Sequence, residues 1–491
     1  MHEIFLLSPW VDQKYKMAIT SLKLIKYYLE DHGHPSEIID CAYFPRDLKE
    51  VTARVARGQR PIVGITGYTR ERFFAYELIR KVKAAAPDAF VVVGGRHFGF
   101  LPAETLEKLP EVDAVVRGEG EVTFTEIVQA VKAGRDMEGI AGVSWRKEGR
   151  VEHNPDRCQE DDLDLFRSYD TKGKTDLKPE ELLGSTKLDA SHAYFSVHAT
   201  RGCPNKCVYC SLTASKVRYR SVDSVLDEIE DKIAATGVRN VSFTDSSLTI
   251  SKKFVTALCE GMLARNLDLR WRCYSRVNID TDILRLMRRA GLDSVEIGLE
   301  TGSPKVLKSI RKNIRLPEVE AFCKLAFELG IKVWVFCMVS LPDETVEDAQ
   351  MTIDFVKNIA PYIANTGLQT TRITPDAALC AIAQERGVLP KDFDWFAPYS
   401  TPHGTLSRPW DASLPVYLEH LTVPQICEFH EKFKRITSVD LANFASFWRG
   451  VKYNLSPRGL RNLTPAELLR KARLAGLMFV NAVRNRLAGR G

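Results

Sequence analysis

The stretch Thr200–Cys210 reads TRGCPNKCVYC and places three cysteines, Cys203, Cys207 and Cys210, within eight residues. An apolar run comes directly before it, so we expect a strand that leads into a loop carrying the three thiols. Thiolates this close in sequence can converge on one iron–sulfur cluster. Because a [4Fe–4S] cubane has four irons, three cysteine ligands leave one iron open to a ligand that is not protein.

A structural zinc site and metal-free buried thiols are the alternative interpretations of this loop. Zinc sites usually combine paired Cys or His ligands in a tetrahedral set, and no matching second pair lies near the three cysteines. The chain has eleven cysteines, and the others are scattered, which argues against a disulfide framework. Met1–Ser8 lacks the basic start and the cleavage site of a signal peptide, so we expect a cytoplasmic protein with reduced thiols.

From the strand before the cysteine loop onward, the chain repeats a strand-then-helix pattern, which predicts a partial (β/α)6 barrel over residues 191–385. In barrels of this kind the chemistry lies at the carboxyl ends of the strands, and the cysteine loop follows the first of them. The predicted strands are Phe195–Thr200, Val238–Thr244, Leu269–Arg276, Ser294–Glu300, Lys332–Val339 and Gly367–Ile373.

Residues 1–140 show the same alternation with five apolar runs, which predicts a Rossmann-like, doubly wound parallel sheet and an α/β fold. The runs are Ile4–Ser8, Glu37–Cys41, Ile62–Thr66, Phe90–Gly94 and Ala114–Arg117. A ligand of such a sheet binds beyond the carboxyl ends of the strands, where glycine lets the backbone approach it closely. The residues at these ends are Thr66-Gly67, Gly94-Gly95-Arg96-His97 and Gly118-Glu119-Gly120.

Two further regions complete the predicted organisation. Residues 141–190 form a connector that contains a hairpin at Gly142–Val151 and an acidic run. Residues 386–491 form a mostly helical region, whose aromatic segment 392–399 either closes the mouth of the barrel or fills a gap in a core.

Positive charge is concentrated near residue 491. The whole chain carries a net charge of +6, which is small for its length and gives no indication of a nucleic-acid partner. From residue 451 onward, nine basic residues accompany a single acid, Glu467. Residues 464–486 mix arginines and apolar residues at helical spacing, and such a helix either docks on the protein's own body or lies on an anionic membrane surface. The second case would make the protein membrane-peripheral.

Cys-x3-Cys-x2-Cys after the first strand of a β/α barrel is the signature of the radical S-adenosylmethionine (SAM) superfamily, which the chain resembles over residues 1–385. The segments Val93–His97 and Val116–Glu121 resemble those of the subfamily with an N-terminal cobalamin (B12)-binding domain. The resemblance implies three cofactors, namely a [4Fe–4S] cluster on the three cysteines, SAM on the open iron, and cobalamin. The implied cobalamin contacts are Thr66, Gly67, Gly94, Gly95, Arg96, His97, Gly118, Glu119 and Gly120.

The resemblance also implies which residues hold SAM. The aromatic residue before the last cysteine packs near the adenine in the superfamily, and here it is Tyr209. Asp245, at the end of the second barrel strand, would accept from the SAM ammonium, and Arg276 would pair with the carboxylate. Glu300 and Thr301 resemble the fourth-strand motif that reaches the ribose.

The chain departs from the family pattern at several places. Ser246 replaces the second acid of the second-strand motif, and Ser340–Thr345 lacks the two glycines usual after the fifth strand. Residues 8–14 lack the motif that supplies cobalt with an axial histidine in many cobalamin proteins. His97 is the histidine nearest to the expected cleft. It is interpreted as an axial ligand of cobalt, as a contact of the cobalamin tail or as a simple loop residue.

These features predict a cobalamin-dependent radical SAM methyltransferase that methylates an unactivated carbon through a 5′-deoxyadenosyl radical and methylcobalamin. The same architecture is compatible with a cyclisation, a ring contraction or another rearrangement without methyl transfer. A non-catalytic regulatory protein that binds cobalamin or SAM is the alternative from another class. We expect a small-molecule or lipid-like substrate, a flavodoxin- or ferredoxin-type reductant and no nucleic-acid partner.

Overall fold

The architecture is known from a computed structural model, which describes residues 3–9, 20–166, 194–212, 214–402 and 412–437. The chain divides into two compact units, and neither is continuous in sequence. The first unit comprises Met1–Lys187, Tyr194–Gly237 and Arg372–Tyr417, and the second comprises Leu188–Ala193, Val238–Thr371 and Leu418–Gly491. The domain boundaries inferred from the sequence stay predictions.

The first unit is built around a mixed sheet. Its strands are β1 (Ile4–Ser8), β2 (Glu37–Asp40), β3 (Ile62–Thr66), β4 (Phe90–Gly94), β5 (Ala114–Val116), β6 (Val143–Lys147) and β7 (Arg150–His153). They lie in the order β2-β1-β3-β4-β5-β6-β7, with β1 to β5 parallel and β6 and β7 antiparallel. The five parallel strands expected from the sequence are confirmed. The hairpin predicted inside the connector also forms, but it extends this sheet because β6 pairs with β5.

Helices cover both faces of this sheet, which confirms the doubly wound fold. They are α1 (Thr20–Asp31), α2 (Lys49–Ala56), α3 (Arg72–Ala85), α4 (Gly95–Phe100), α5 (Pro102–Lys108) and α6 (Gly120–Lys132). Successive strand residues point to opposite faces, so Phe5 and Leu7 pack with α2 and α3 while Leu6 packs with α1 and α6. Burial of both faces explains why these strands read as unbroken apolar runs.

Two later segments complete the first unit. One contains β8 (Phe195–Val197), β9 (Thr200–Arg201), β10 (Arg218–Tyr219) and α7 (Val222–Thr236), and the other contains the helix Ala378–Glu385. In the second segment Phe396 stacks on Tyr76 of α3 with ring centroids 5.2 Å apart, and Trp395 and Tyr417 are buried in a shared core. The aromatic segment 392–399 therefore fills a core of the first unit.

The second unit is built around a parallel sheet. Its strands are β11 (Asn240–Phe243), β12 (Arg270–Ser275), β13 (Leu292–Glu300), β14 (Lys332–Val339) and β15 (Asn365–Thr370). The helices between and after them are α8 (Lys252–Ala264), α9 (Thr281–Arg289), α10 (Pro304–Ser309), α11 (Leu316–Glu328) and α12 (Val346–Ile359). Each strand pairs in parallel with the next one along the chain. With β8, these are the six strands that the sequence predicts for the partial barrel.

Local sequence signals set the ends of the helices. α7 begins after Ser221, whose side chain accepts a hydrogen bond from the backbone N–H of Ser224, and it ends at Gly237 in the left-handed conformation. α12 begins with a capping box formed by Thr345 and Asp348. The last described helix is Val423–Thr437, and its His430 Nε2 lies 2.8 Å from the hydroxyl of Thr370 on β15.

Within the described ranges, no helix is both long and apolar enough to cross a membrane. The basic amphipathic helix predicted at residues 464–486 lies outside those ranges. Peripheral membrane contact through that helix stays a prediction.

Candidate cofactor site

The three cysteines lie in a closed hairpin loop of the first unit. At its base β9 and β10 pair antiparallel, with Arg201 opposite Arg218. Gly202 adopts a φ of +95°, and a Cβ there would lie 2.1 Å from the carbonyl oxygen of Lys216, so only glycine fits. The Ser215 hydroxyl accepts from the backbone N–H of Cys203 at 2.8 Å. The loop geometry is therefore fixed directly at the first cysteine.

Hydrogen-bond donors point at two of the thiol sulfurs. Asn205 Nδ2 lies 3.3 Å from Cys203 Sγ, and the backbone N–H of Leu212 lies 3.4 Å from Cys210 Sγ. Burial raises the pKa of the Cys210 thiol, the Leu212 N–H opposes this, and the neighbouring Cys207 and Cys203 raise it further. The three sulfurs are thus close enough to influence one another, and the donors around them suit thiolate ligands. This set of groups fits a [4Fe–4S] cluster held by three cysteines.

Tyr209 is held by the segment that follows the barrel strands. Its ring packs against a core that includes Leu379 and Trp395, and the backbone N–H of Leu379 donates to the carbonyl of Val208 at 2.8 Å. Tyr209 is half-buried and directly precedes Cys210. Its predicted contact with adenine stays a prediction.

A cavity of about 310 Å³ opens at the carboxyl ends of the parallel strands of the first unit. Six of the predicted cobalamin contacts line it, namely Thr66, Gly94, Gly95, Gly118, Glu119 and Gly120. Its walls are apolar and include Leu22, Ile25 and Phe124. A Cβ on Gly64 would lie 2.9 Å from the Phe124 ring, so this glycine keeps the cavity open. A glycine-lined mouth above an apolar pocket lets a ligand approach the backbone closely and bury an apolar group inside the fold.

Three predicted cobalamin contacts do not line this cavity. Gly67 supports the loop, because a Cβ there would lie 2.6 Å from the ring of Phe98. The guanidinium of Arg96 donates instead to the backbone carbonyl of Ser211, beside the last cysteine, at 2.7 Å.

The side chain of His97 is buried in an aromatic core and does not line this cavity, and its predicted contact with cobalamin stays a prediction. It is fully buried, its Nε2 is hydrogen-bonded to the hydroxyl of Tyr76, and its ring packs against Phe98 and Phe396. Burial, with a smaller contribution from the charge of Arg72, lowers the pKa of His97 to about 3. The physical reason is that α4 begins at Gly95, which turns the His97 side chain into the aromatic core.

Charged residues surround the mouth of the cavity. Arg201 donates to Glu121 at 2.6 Å and lies 3.2 Å from Glu119, and Arg218 holds Glu119 with both terminal nitrogens. Burial alone would raise the pKa of Glu119, but the hydrogen bonds and charges of Arg218 and Arg201 outweigh it and keep that pKa below its usual range. His198 also lines the cavity, and burial lowers its pKa to about 4.

The candidate SAM contacts of the second unit lie at the ends of three neighbouring strands. Asp245 follows β11 and is buried, Arg276 follows β12, and Glu300 ends β13. The loop after α10 contacts two of them, because Lys312 donates to Glu300 at 2.8 Å and Arg276 donates to the carbonyl of Asn313 at 2.8 Å. Glu300 has a φ of +65°, a conformation rare for residues with a side chain and frequent at functional sites.

Thr301 is placed differently from the other three. It is fully buried, its hydroxyl lies 3.1 Å from that of Thr352, and it accepts from the backbone N–H of Ser303 at 3.1 Å. This hydroxyl organises the loop between β13 and α10. Its predicted contact with the ribose stays a prediction.

Sequence reasoning missed the apolar wall of the cavity and the ion pair between Glu121 and Arg201. One signal was available for the wall, because a glycine such as Gly64 inside a buried strand often marks a close approach by a ligand. For the pair of Glu121 and Arg201, eighty residues apart in sequence, we find no comparable signal.

Two family models match the chain. The radical SAM superfamily model matches residues 197–356, and the B12 binding domain model matches residues 14–128. The first range contains the cysteine loop, and the second contains most of the residues that line the cavity. The two matches confirm the cofactor set expected from the sequence, namely an iron–sulfur cluster, SAM and cobalamin.

Individual relatives agree with these matches. An uncharacterized methyltransferase of Pyrococcus horikoshii is 32% identical over 333 residues, which is 66% of this chain and 70% of that protein. An anaerobic magnesium-protoporphyrin IX monomethyl ester cyclase of Rubrivivax gelatinosus is 29% identical over 70% of this chain and 62% of its own length. The structure of the radical SAM methyltransferase TsrM from Kitasatospora setae, with cobalamin and a [4Fe–4S] cluster bound, has a TM-score of 0.65 at 21% identity. That match covers 88% of this chain and 82% of TsrM. This chain therefore belongs to the radical SAM superfamily, in the group that carries a B12-binding domain before the radical SAM domain.

Proposed function

We propose that this protein is a cobalamin-dependent radical SAM methyltransferase that methylates an unactivated carbon of its substrate. The observation that carries the proposal is the arrangement of the first unit. There the three-cysteine loop and the glycine-lined cavity are tied together by the ion pairs of Arg201 with Glu119 and Glu121. A radical SAM enzyme that does not use cobalamin has no need for a cavity fastened to its cluster loop.

When bound, the cluster and SAM supply a radical that abstracts hydrogen, and cobalamin supplies a carrier for the methyl group. The chain's own residues hold and orient these groups. Cys203, Cys207 and Cys210 would ligate three irons, and Asn205 would stabilise the negative charge on the Cys203 sulfur. The apolar wall of the cavity would exclude water from the part of cobalamin that enters it.

Asp245, Arg276 and Glu300 would orient SAM from the strand ends of the second unit. Their charges suit the ammonium, the carboxylate and the ribose hydroxyls, respectively. A flavodoxin- or ferredoxin-type protein would supply the electron, and the substrate would be a small or lipid-like molecule.

A radical rearrangement without methyl transfer is the second candidate. It is favoured by the similarity to a protein named as a cyclase, which is nearly as close to this chain as the protein named as a methyltransferase. Both candidates use the same cluster and the same cleavage of SAM. The mass of the product distinguishes them, because methylation adds one CH2 unit to the substrate and cyclisation does not.

The first experiment is to purify the protein without oxygen in the presence of hydroxocobalamin and to quantify iron and corrin. The proposal predicts about four irons per chain and a corrin that remains bound through gel filtration. Iron without corrin would overturn the cobalamin assignment and leave the rearrangement as the working function.

The second experiment measures the conversion of SAM to 5′-deoxyadenosine under reducing conditions. We expect turnover by the wild-type protein and none by Cys207→Ala, because the cluster would lose a ligand. Cys158→Ala is the matched control, since Cys158 is an exposed thiol outside the loop. Equal turnover by both variants would contradict the assigned cluster, and no turnover by the wild-type protein would favour a non-catalytic binding protein.

A further inference from the structure

We infer that a clamp formed by Arg96, Glu119, Glu121, Arg201 and Arg218 couples the cluster loop to the cobalamin cavity, so that filling the cavity changes the redox properties of the cluster. This inference rests on the proposed function, because it assigns the cavity to cobalamin. It concerns positioning residues, which act through the loop and not by contact with a substrate.

The base of the cysteine loop is held by the loop between β5 and α6. Arg201 and Arg218 face each other on β9 and β10, and both contact the carboxylate of Glu119. Arg201 also donates to Glu121. Arg218 and Glu121 have almost no solvent-exposed side-chain surface, so these charges interact in a poorly screened environment. The two strands that carry the loop are therefore fixed to one short segment.

The far end of the loop is held by α4. Arg96 donates to the carbonyl of Ser211, the residue directly after Cys210, at 2.7 Å. Arg96 follows Gly95, whose φ is +86° and where a Cβ would lie 2.8 Å from the carbonyl oxygen of Gly67. The backbone that positions Arg96 therefore has little freedom.

Both anchoring segments line the cavity. Gly94 and Gly95 lie directly before Arg96, and Glu119 and Glu121 are themselves lining residues. A ligand that fills the cavity contacts both segments at once, and any preference it has for one arrangement of them is transmitted to both ends of the cluster loop. By thermodynamic linkage, the state of the cluster then affects the affinity for the ligand to the same extent.

Arg96 gives this coupling an electrostatic component. Its guanidinium donates to the carbonyl of Ser211, the residue directly after Cys210, so its positive charge lies beside a ligand of the cluster. A positive charge beside a cluster ligand stabilises the reduced, more negative state of the cluster and raises its reduction potential. A small movement of Arg96 on cobalamin binding would therefore change the ease with which the cluster accepts its electron.

The test is a redox titration of the cluster, followed by low-temperature electron paramagnetic resonance (EPR), with and without hydroxocobalamin. In the wild-type protein, cobalamin should change the midpoint potential and the shape of the cluster signal. Without cobalamin, Arg96→Gln should have a lower midpoint potential than the wild-type protein, and Arg96→Lys should restore part of the difference. In Glu119→Gln, the cobalamin-dependent change should disappear and the affinity for cobalamin should fall about tenfold.

Arg157→Gln is the matched control. Arg157 is a half-buried arginine of the same unit that pairs with Glu126 and the hydroxyl of Thr123, and it lines no part of the cavity. This variant should behave as the wild-type protein does. If Arg96→Gln assembles no cluster, Glu119→Gln still tests whether the clamp couples the two sites, because this variant keeps Arg96.

The outcomes separate this inference from the proposed function. If the wild-type protein binds cobalamin but the potential and the signal are the same with and without it, the clamp does not couple the two sites and the inference is wrong. A protein that binds no cobalamin at all contradicts the proposed function instead. In that case the effect of Arg96→Gln on the midpoint potential still tests the electrostatic component.

Discussion

The two parallel sheets of this molecule are buried in different ways. In the first unit, four consecutive residues of β1 and four of β3 are buried, because helices cover both faces of the sheet. In the second unit, buried residues alternate with partly or fully exposed ones along β12 and β14. Tyr274 on β12 and Trp334 on β14 are 43% and 38% exposed, so one face of this sheet presents large side chains to solvent.

This difference shows where each sheet can meet a ligand. A sheet buried on both faces offers only its strand ends, and the first unit places its cavity there. A sheet with one open face can bind a ligand on that face as well as at its strand ends. On that face Tyr274, Glu296 and Trp334 lie side by side in register on three strands. Substitutions should therefore affect stability in the first unit and leave it nearly unchanged on the open face of the second.

The largest difference in stability is expected between substitutions of two carboxylates, one in each unit. Glu228 of α7 is fully buried between Arg220 and Lys232, and Glu296 lies on the open face near Arg272. Glu228→Gln removes the negative charge from between two nearly buried cations and should lower the free energy of unfolding by about 4 kcal/mol. Burial raises the pKa of Glu296, so its charge does not stabilise the folded state, and Glu296→Gln should change the free energy of unfolding by less than about 1 kcal/mol. Urea unfolding of the two variants measures the contrast, and equal losses would contradict it.

The Glu228 contribution should also depend on pH. Burial alone would raise the pKa of Glu228, but Lys232 and Arg220 outweigh it and lower that pKa to about 2. A lowered carboxyl pKa stabilises the folded state above the unfolded value of about 4.3, and this stabilisation is lost as the pH falls toward 2. The difference between the wild-type protein and Glu228→Gln should therefore shrink below about pH 4.3.

The second contrast concerns apolar side chains. Leu7 on β1 is fully buried, so Leu7→Ala should leave a cavity and cost about 3 kcal/mol. Trp334→Ala removes a larger side chain from the open face and should cost less than about 1 kcal/mol. Unfolding midpoints in urea compare the two directly. A cost for Trp334→Ala as large as that for Leu7→Ala would show that the open face is covered in solution.

The third contrast uses one glycine from each sheet. A Cβ on Gly64 would lie 2.9 Å from Phe124 and 3.1 Å from Leu6, whereas a Cβ on Gly367 would lie 3.7 Å from Phe336, at ordinary contact distance. Gly64→Ala should therefore cost about 2 kcal/mol through overpacking, and Gly367→Ala should be nearly neutral. Gly64→Ala should also weaken cobalamin binding, since the methyl group enters the cavity. Normal cobalamin binding by this variant would contradict the assigned position of the ligand.

Much of the fold could be read from the sequence because its strands are either continuously apolar or regularly alternating. Every strand predicted for the two sheets is present, with ends that differ by a few residues. The cysteine loop was equally accessible, because its chemistry depends on three residues that are close in sequence. Local patterns carry both kinds of information.

The rest depends on contacts between distant segments. The pairing of Glu119 with Arg218 joins residues ninety-nine positions apart, and the two charges alone do not specify each other. His97 illustrates the same limit at short range. Its position just after the fourth strand was predicted correctly, but the direction of its side chain is set by the helix that begins at Gly95. The sequence predicts at which strand or loop a residue lies, but it does not predict which group its side chain contacts.

The last prediction concerns His97, whose contribution to stability depends on pH. Burial lowers the pKa of its imidazole to about 3, so the folded protein leaves it neutral at a pH where the unfolded chain, with a value near 6.5, binds a proton. Stability should therefore fall by about 1.4 kcal/mol per pH unit well below pH 6.5, until the folded value is reached. His97→Gln removes this titration and should flatten the dependence of the unfolding midpoint on pH. His420→Gln, at a more exposed histidine of the second unit, is the matched control for the substitution. An unchanged slope in His97→Gln would mean that the aromatic core around this residue admits water or opens below pH 6.5. The core of the first unit would then be partly open to solvent, and it would differ less from the open face of the second sheet than we propose.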